Sequence, residues 1–380
     1  MKQQLWRWIG LVLGLVGTCG NIKAQSEKPT FWQKMRPDSL VNRELHVLPL
    51  PVFRTSPETG LQVGISTDYF FNADESDSSA NTRNSYAWLQ VLYSTRRQLI
   101  VEPAWQIYTK NENYQLRGKA GYVVYSEHFW GVGNETLPDD DYINASYNRS
   151  YFQGDFYRRT TGKLFLGVTT YFSDVRNIKF DDPERVSEVP LFLGTETNRI
   201  VGIGPNILLD YRNDPFSPTR GWYTHVYYRR HFSGLGSTFN YGEQFLDFRK
   251  YFPLNAGSLV AVQAMGQFTK GEVPFHDLPR LGGSNIMRGY LQGRFRDRQL
   301  WSAQTEYRRN LGRFLVAAAF VSAGGVAPAI KDFSAATTRY GGGAGLRILI
   351  NRKMNLYTRL DFAVTSDRTT GFYFRIFDAF

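Results

Sequence analysis

Apolar and polar residues alternate one by one along much of this chain. In Asn355–Val364, Leu356, Leu360, Phe362 and Val364 share one parity, and Asn355, Arg359 and Asp361 share the other. A period of two sends successive side chains to opposite faces of a sheet. The same beat sets Thr224, Val226 and Tyr228 against His225, Tyr227 and Arg229. It is weaker in Leu259–Phe268, where Gln263 and Gln267 oppose Val262, Ala264 and Phe268. From Leu45 onward the pattern predicts a succession of strands divided by turn signals. Asn72–Asn84, Leu137–Asn148 and Asp181–Pro190 are polar and read as extended loops.

Composition decides what such strands build. Aromatic residues make up 16% of the 380 residues, with 35 Gly, 23 Tyr and 28 Phe, and mean hydropathy is −0.37. The longest apolar run, Ile9–Val16, is too short to span a bilayer as a helix. Aromatic and glycine richness without a spanning helix predicts an all-β chain: a transmembrane antiparallel β-barrel, one face meeting lipid and the other water. At roughly 20 residues per strand with its turn, the stretch from Leu45 holds about sixteen strands. Long loops are expected outside and short turns on the periplasmic side. A soluble sandwich or propeller is the competing architecture, but no repeat of blade-like period is present.

The domain reading follows. Residues 1–24 read as a secretory signal peptide, with Lys2 and Arg7, the Ile9–Val16 core and an Ile22-Lys23-Ala24 cleavage site. Residues 25–45 read as a short periplasmic lead, and 46–380 as the barrel. Cys19 is the only cysteine and leaves with the signal, which excludes disulfides and thiol catalysis in the mature chain. The formal charge of +11 falls to +8 once Lys2, Arg7 and Lys23 are removed. Basic pairs such as Arg96-Arg97 and Arg308-Arg309 are scattered, so no nucleic-acid partner is expected. Such charges suit either anionic head groups of outer-membrane lipid or a watery lumen.

Chemistry-bearing motifs are sparse. His231-Phe232-Ser233 has the spacing of a lipase-like His–Ser pair, and His276-Asp277 that of a protease fragment. Each reads better as part of a turn. No residue set has zinc spacing and no glycine loop precedes a helix, so no metal, cofactor or catalytic residue is assigned and the chain is read as a non-enzyme.

One stretch stands apart. Gly282-Gly283-Ser284-Asn285-Ile286-Met287-Arg288-Gly289-Tyr290 packs three glycines and one arginine between strand-like segments. Glycine enters positive φ freely and lets such a loop fold back on itself. A surface turn with a solvated arginine fits the same residues. The stretch also resembles the Arg-Gly-Phe/Tyr loop of BamA/TamA-type outer-membrane assembly and translocation barrels (the bacterial surface antigen barrels).

Further segments resemble that family in order: Ser56–Gly60, Phe129–Asn134, Leu209–Asp214 with Pro218 and Arg220-Gly221-Trp222, Asp247–Leu254 and Glu306-Tyr307-Arg308. The resemblance implies a loop of Gly282, Gly283, Arg288, Gly289 and Tyr290 folded into the lumen, with Arg288 facing a wall carboxylate at Glu306. In Phe320-Val321-Ser322-Ala323-Gly324, Ser322 stands where the family carries a second acid. The implied partners of Arg288 are therefore Glu306 for the ionic contact and Ser322 for a neutral hydrogen bond. Phe374, Ile376 and Phe380 are similar to the C-terminal signal read by the assembly machinery, although Asp378 departs from it. The family's POTRA modules have no counterpart in the sequence, and the resemblance implies a POTRA-less member or accessory working in protein insertion or translocation. Its partners would be outer-membrane lipids and assembly subunits or client barrels. A passive porin or small-molecule channel is the alternative.

Overall fold

The computed structural model describes residues 47–56, 60–71, 82–83, 85–95, 97–138, 141–187, 189, 192–352, 355–376 and 378–380. The signal peptide, the lead segment and most of Asn72–Asn84 lie outside the described residues. The strands in chain order are β1 (Val47–Ser56), β2 (Gly60–Phe71), β3 (Ser85–Ser94), β4 (Leu99–Tyr108), β5 (Tyr114–Phe129), β6 (Ile143–Thr161), β7 (Leu164–Phe180), β8 (Asn198–Asp210) and β9 (Gly221–His231). They continue as β10 (Tyr241–Asn255), β11 (Ser258–Gly271), β12 (Arg280–Leu281), β13 (Phe295–Arg296), β14 (Gln299–Asn310), β15 (Leu315–Ala327), β16 (Arg339–Asn351), β17 (Leu356–Thr365) and β18 (Thr370–Ile376).

Sixteen of these form one antiparallel sheet in sequence order, skipping only the short β12–β13 pair. This is the wall of an outer-membrane-type β-barrel. Each strand pairs with the next, so every connection is local. The two ends of the sheet, β1 and β18, approach to within 8 Å Cα–Cα, and no ladder register joins them among the described residues.

Alternation fixes the faces. In β9, Tyr223, His225, Tyr227, Arg229 and His231 are buried, while Val226, Tyr228 and Arg230 between them are exposed. In β17, Arg359, Asp361 and Ala363 point in, and Phe362 and Val364 point out. Leu356 breaks the expected parity and is buried. It sits at a register shift between Leu349 and Asn351, where a bulge resets which face a side chain takes.

Because every pairing is antiparallel, connections alternate between the two ends of the barrel. Connections 162–163, 256–257, 311–314 and 352–355 share an end with the C-terminus, as expected of periplasmic turns. Phe71 at the end of β2 and Ser85 at the start of β3 lie at that same end, whereas the length of the stretch between them suggested the outer end; most of that stretch lies outside the described residues. Strand parity, and not the length of the stretch, sets that side. At that end Arg83 reaches Glu112 (Nε–Oε1 2.8 Å) and Asp210, and Lys163 joins Glu112 at 3.0 Å. Burial works against the Glu112 carboxylate, but Arg83 and Lys163 together pull it below its usual range.

Candidate functional site

The segment between β11 and β14, residues 272–298, does not project away from the barrel but runs through its interior. Two sets of contacts, on different walls, place it there. On the β5–β10 side, Asp277 accepts from Arg149 (2.6 Å), Tyr171 (3.1 Å) and Tyr241 (2.8 Å). Arg296 and Arg280 both reach Glu127, at 3.1 and 3.5 Å. Phe275 is buried among Phe129, Phe180, Phe192 and Tyr147. His276 packs beside it, its Nε2 3.1 Å from Asn198 Oδ1 and its Nδ1 3.3 Å from Asp277. Burial lowers the His276 imidazole below its ordinary value. Burial also opposes the Asp277 charge, yet Arg149, His276 and Tyr241 outweigh it and hold the carboxyl well below the usual range.

The opposite wall receives the glycine-rich tip. Gly282, Gly283 and Gly289 take φ of 97°, 108° and 106°, in the left-handed region that favours glycine. A Cβ on Gly282 would lie 2.5 Å from the Leu291 carbonyl oxygen, and one on Gly289 the same distance from Thr365 Cγ2. The Gly283 amide donates to the Tyr290 carbonyl at 3.0 Å and closes the turn. Leu281, Met287, Tyr290, Phe295, Leu300 and Val326 form a small apolar core under it.

Arg288 is fully buried at the centre of this tip. Its Nη2 lies 2.8 Å from Glu306 Oε2 on β14, and its Nη1 lies 2.8 Å from Asp361 Oδ2 on β17. The guanidinium carbon sits 3.3 Å above the centre of the Phe320 ring. Both carboxylates serve further arginines. Glu306 meets Arg308 (2.7 Å) and Arg347 (2.9 Å), and Asp361 meets Arg347 (2.5 Å) and Arg359 (3.0 Å). Charges withdrawn from water are tolerated only when paired and hydrogen-bonded in this way.

Ser322 takes no part in holding Arg288. Its hydroxyl donates to the Gly341 carbonyl at 3.3 Å. The register explains the difference: Ser322 lies in the row Gln304–Ser322–Gly341–Thr365, one row beyond Glu306–Phe320–Gly343–Ala363. Asp361 lies one row to the other side, opposite Gly345. With Gly343 and Gly345 on the intervening strand, no side chain separates Phe320 from Asp361, and the second acid reaches the arginine from β17. The loop is held by two carboxylates and not by one.

The tip also grips the last hairpin. Tyr373 on β18 receives the Gly289 amide at 2.9 Å, Thr369 donates to the Gly289 carbonyl at 3.0 Å, and Tyr290 and Ser366 hydroxyls meet at 3.0 Å. Arg359 donates to the Ser284 carbonyl at 2.7 Å.

Phe374 is exposed on the outer face of β18, and Ile376 ends that strand. Phe380 has the same parity but is buried instead, against Tyr251, Leu259 and Ala261. Asp378 turns the tail inward by meeting Arg308 (2.9 Å) and Ser217 (3.1 Å). A charged residue at that place seeks a buried partner that lipid cannot provide, which redirects the terminal phenylalanine.

Asp361, Arg347, Arg359 and Arg308 were missed as parts of the site. The available signal was inward parity combined with charge, already visible in Arg359 and Asp361. Of the enzyme-like pairs, His231 stacks on Tyr241 (4.1 Å between centres) and makes no hydrogen bond to Ser233, and His276-Asp277 anchors the lumen loop. Among the described residues no cluster of His, Cys, Asp and Glu could hold a metal.

The architecture and the loop find counterparts among known proteins. No curated protein matches the chain. The fold is similar to BamA from Haemophilus ducreyi lacking POTRA domains 1-3, with TM-score 0.54 and 14% identity over 87% of this chain and 68% of that one. CdiB from Acinetobacter baumannii matches with TM-score 0.57 and 13% identity over 87% of this chain and 60% of that one. CdiB from Escherichia coli matches with TM-score 0.57 and 11% identity over 88% of this chain and 63% of that one. The chain thus spans less than two thirds of either CdiB, and the described residues hold no POTRA module. At these identities the likeness concerns the fold. The sequence itself matches the Omp85 superfamily domain over residues 54–380, nearly the whole barrel, and the chain belongs to that superfamily of bacterial outer-membrane barrels.

Proposed function

We propose that this barrel works in the insertion or translocation of proteins at the bacterial outer membrane, without covalent chemistry of its own. The observation that carries the reading is the pairing of Arg288 with Glu306 and Asp361, which pins a loop across the lumen where a passive channel needs open water. The same loop grips β18 through Tyr373, the strand that ends the sheet beside β1. Unpaired strand edges are costly in lipid and template incoming strands. A client strand would add at that place, and the loop would set how firmly β18 is held when it does. Clients and assembly subunits are the partners this reading calls for.

Planar-bilayer recording tests it. The unmodified barrel should give a small, flickering conductance that grows when Arg288→Ala releases the loop. A wide, steady conductance in the unmodified protein would overturn the proposal and assign a porin. Affinity purification from detergent-solubilised outer membranes should in addition recover assembly subunits or unfinished barrels.

A further inference from the structure

Three hydrogen-bond donors fall together on the outward surface of the wall. Arg230 on β9, Gly242 on β10 and Lys270 on β11 occupy one register row. Each stands one residue from the end of its strand, beside His231, Tyr241 and Gly271. The connections there, 232–240 and 272–298, leave from the end opposite the C-terminus, so the row lies at the outer rim. Arg230 and Lys270 are exposed. Val226 and Tyr228 on β9 and Leu246 and Phe248 on β10 share this face and are exposed too, as the apolar band below a rim requires.

Strands lie about 4.8 Å apart, so the two cations stand about 10 Å apart along the row, with only a glycine between them. The ring of Tyr228 covers that glycine: a Cβ on Gly242 would lie 3.0 Å from the Tyr228 hydroxyl oxygen. Both cationic side chains are long enough to lean over this hydroxyl from either side. Among the described residues neither Arg230 nor Lys270 forms an ion pair, and the Tyr228 hydroxyl makes no hydrogen bond. Arg176 and Arg199, outward at the same rim, differ in sharing Asp174. The acid nearest in sequence, Glu272, follows Gly271, whose φ of 121° turns the chain, and it pairs with neither cation. The acceptor these donors lack is what the head-group layer supplies. Cations at a membrane surface attract anionic lipid, and the guanidinium fork matches phosphate.

We infer that this row is a binding site for the phosphate of an outer-leaflet glycolipid. Arg230 and Lys270 grip the phosphate from two sides, the Tyr228 hydroxyl donates between them, and the acyl chains lie on Val226, Leu246 and Phe248. The site is independent of the lumen loop, and it stands whether or not the barrel inserts proteins.

Native mass spectrometry of the full chain in detergent tests it with three probes: lipid A carrying its phosphates, lipid A stripped of them, and inorganic phosphate. The phosphorylated lipid should bind saturably and about tenfold more tightly than the stripped one, and Arg230→Gln/Lys270→Gln should lose about that factor. Tyr228→Phe should lose about threefold, one hydrogen bond. Arg158→Gln/Arg309→Gln removes two exposed charges near the other ends of β6 and β14 and should bind as the unmodified protein does. Should the double variant fail to migrate as a folded barrel, Lys270→Gln alone should still weaken binding. Equal binding of the two lipids, or an equal loss in the Arg158→Gln/Arg309→Gln control, would reduce the row to diffuse charge and overturn the site. Displacement of the lipid by an equimolar amount of inorganic phosphate would overturn the lipid as its source.

Discussion

Arg288 and Asp361 are 73 positions apart in the chain and 2.8 Å apart in the barrel. They meet because β16 offers glycine where a side chain would stand between the loop and β17. The contact makes Arg288 one of four arginines around Glu306, Asp361 and Asp378, and this arrangement decides which member matters most.

Removing Arg288 leaves both acids paired, Glu306 with Arg308 and Arg347, Asp361 with Arg347 and Arg359. Removing Glu306 leaves three guanidinium groups competing for fewer acceptors. Glu306→Gln is therefore expected to cost about 3–5 kcal/mol, the range for breaking a buried ion pair, and Arg288→Gln distinctly less. Thermal unfolding followed by heat-modifiable gel migration measures both. A larger loss for Arg288→Gln would show that the loop, and not the wall network, supplies the stability.

Gly289→Ala meets two penalties, a positive φ and a Cβ 2.5 Å from Thr365 Cγ2. Gly236→Ala meets only the first, since nothing lies within 4 Å of its Cβ. Backbone strain alone costs about 1 kcal/mol, so Gly236→Ala should lower the unfolding temperature slightly. Gly289→Ala should lower it further and loosen the tip, which limited proteolysis of residues 282–290 would register.

The tail is tied by Arg308. Its Nη1 meets Asp378 at 2.9 Å and its Nη2 donates to the Phe380 carbonyl at 3.3 Å. Arg308→Gln should expose the last three residues to carboxypeptidase in the folded barrel. Arg309→Gln, its exposed neighbour, should leave them protected.

Acid should release the loop from the β5–β10 wall first. The Asp277 carboxyl is held below its ordinary value, so its contribution is complete above about pH 4 and is lost as pH falls through the lowered value. His276 is also lowered, so the unfolded chain takes its proton first and stability declines as pH drops below about 6.5. Arg149, Tyr171 and Tyr241 face the same pair and keep their charge state across this range. Proteolysis of residues 272–281 against pH should show a shallow rise below pH 6.5 and a steep one below 4, the steep part reduced in Asp277→Asn.

The wall was legible in the sequence because period-2 alternation is a local property: β9 and β17 show it in their own residues. The approximate strand number followed from length and turn spacing. Glu306 was legible through the motif company it keeps. Asp361 was not, because its reach to Arg288 depends on the row Arg308–Ala318–Gly345–Asp361, a register no single segment encodes. Ser322 was misassigned for the same reason, one row out. The inward turn of Phe380 depends on Arg308, seventy-odd residues earlier, and the end of the barrel at which β2 stops and β3 starts follows only from counting every strand.

The loop's two sets of anchors have a mechanical consequence. A curved wall of sixteen ribbons can be squeezed oval at little cost, since each ribbon need only hinge slightly against the next. A strut fastened to Glu127 and Arg149 at one side and to Glu306 and Asp361 at the other forbids squeezing or stretching along its own length. Any change in girth must be absorbed elsewhere on the circumference or wait until one fastening lets go.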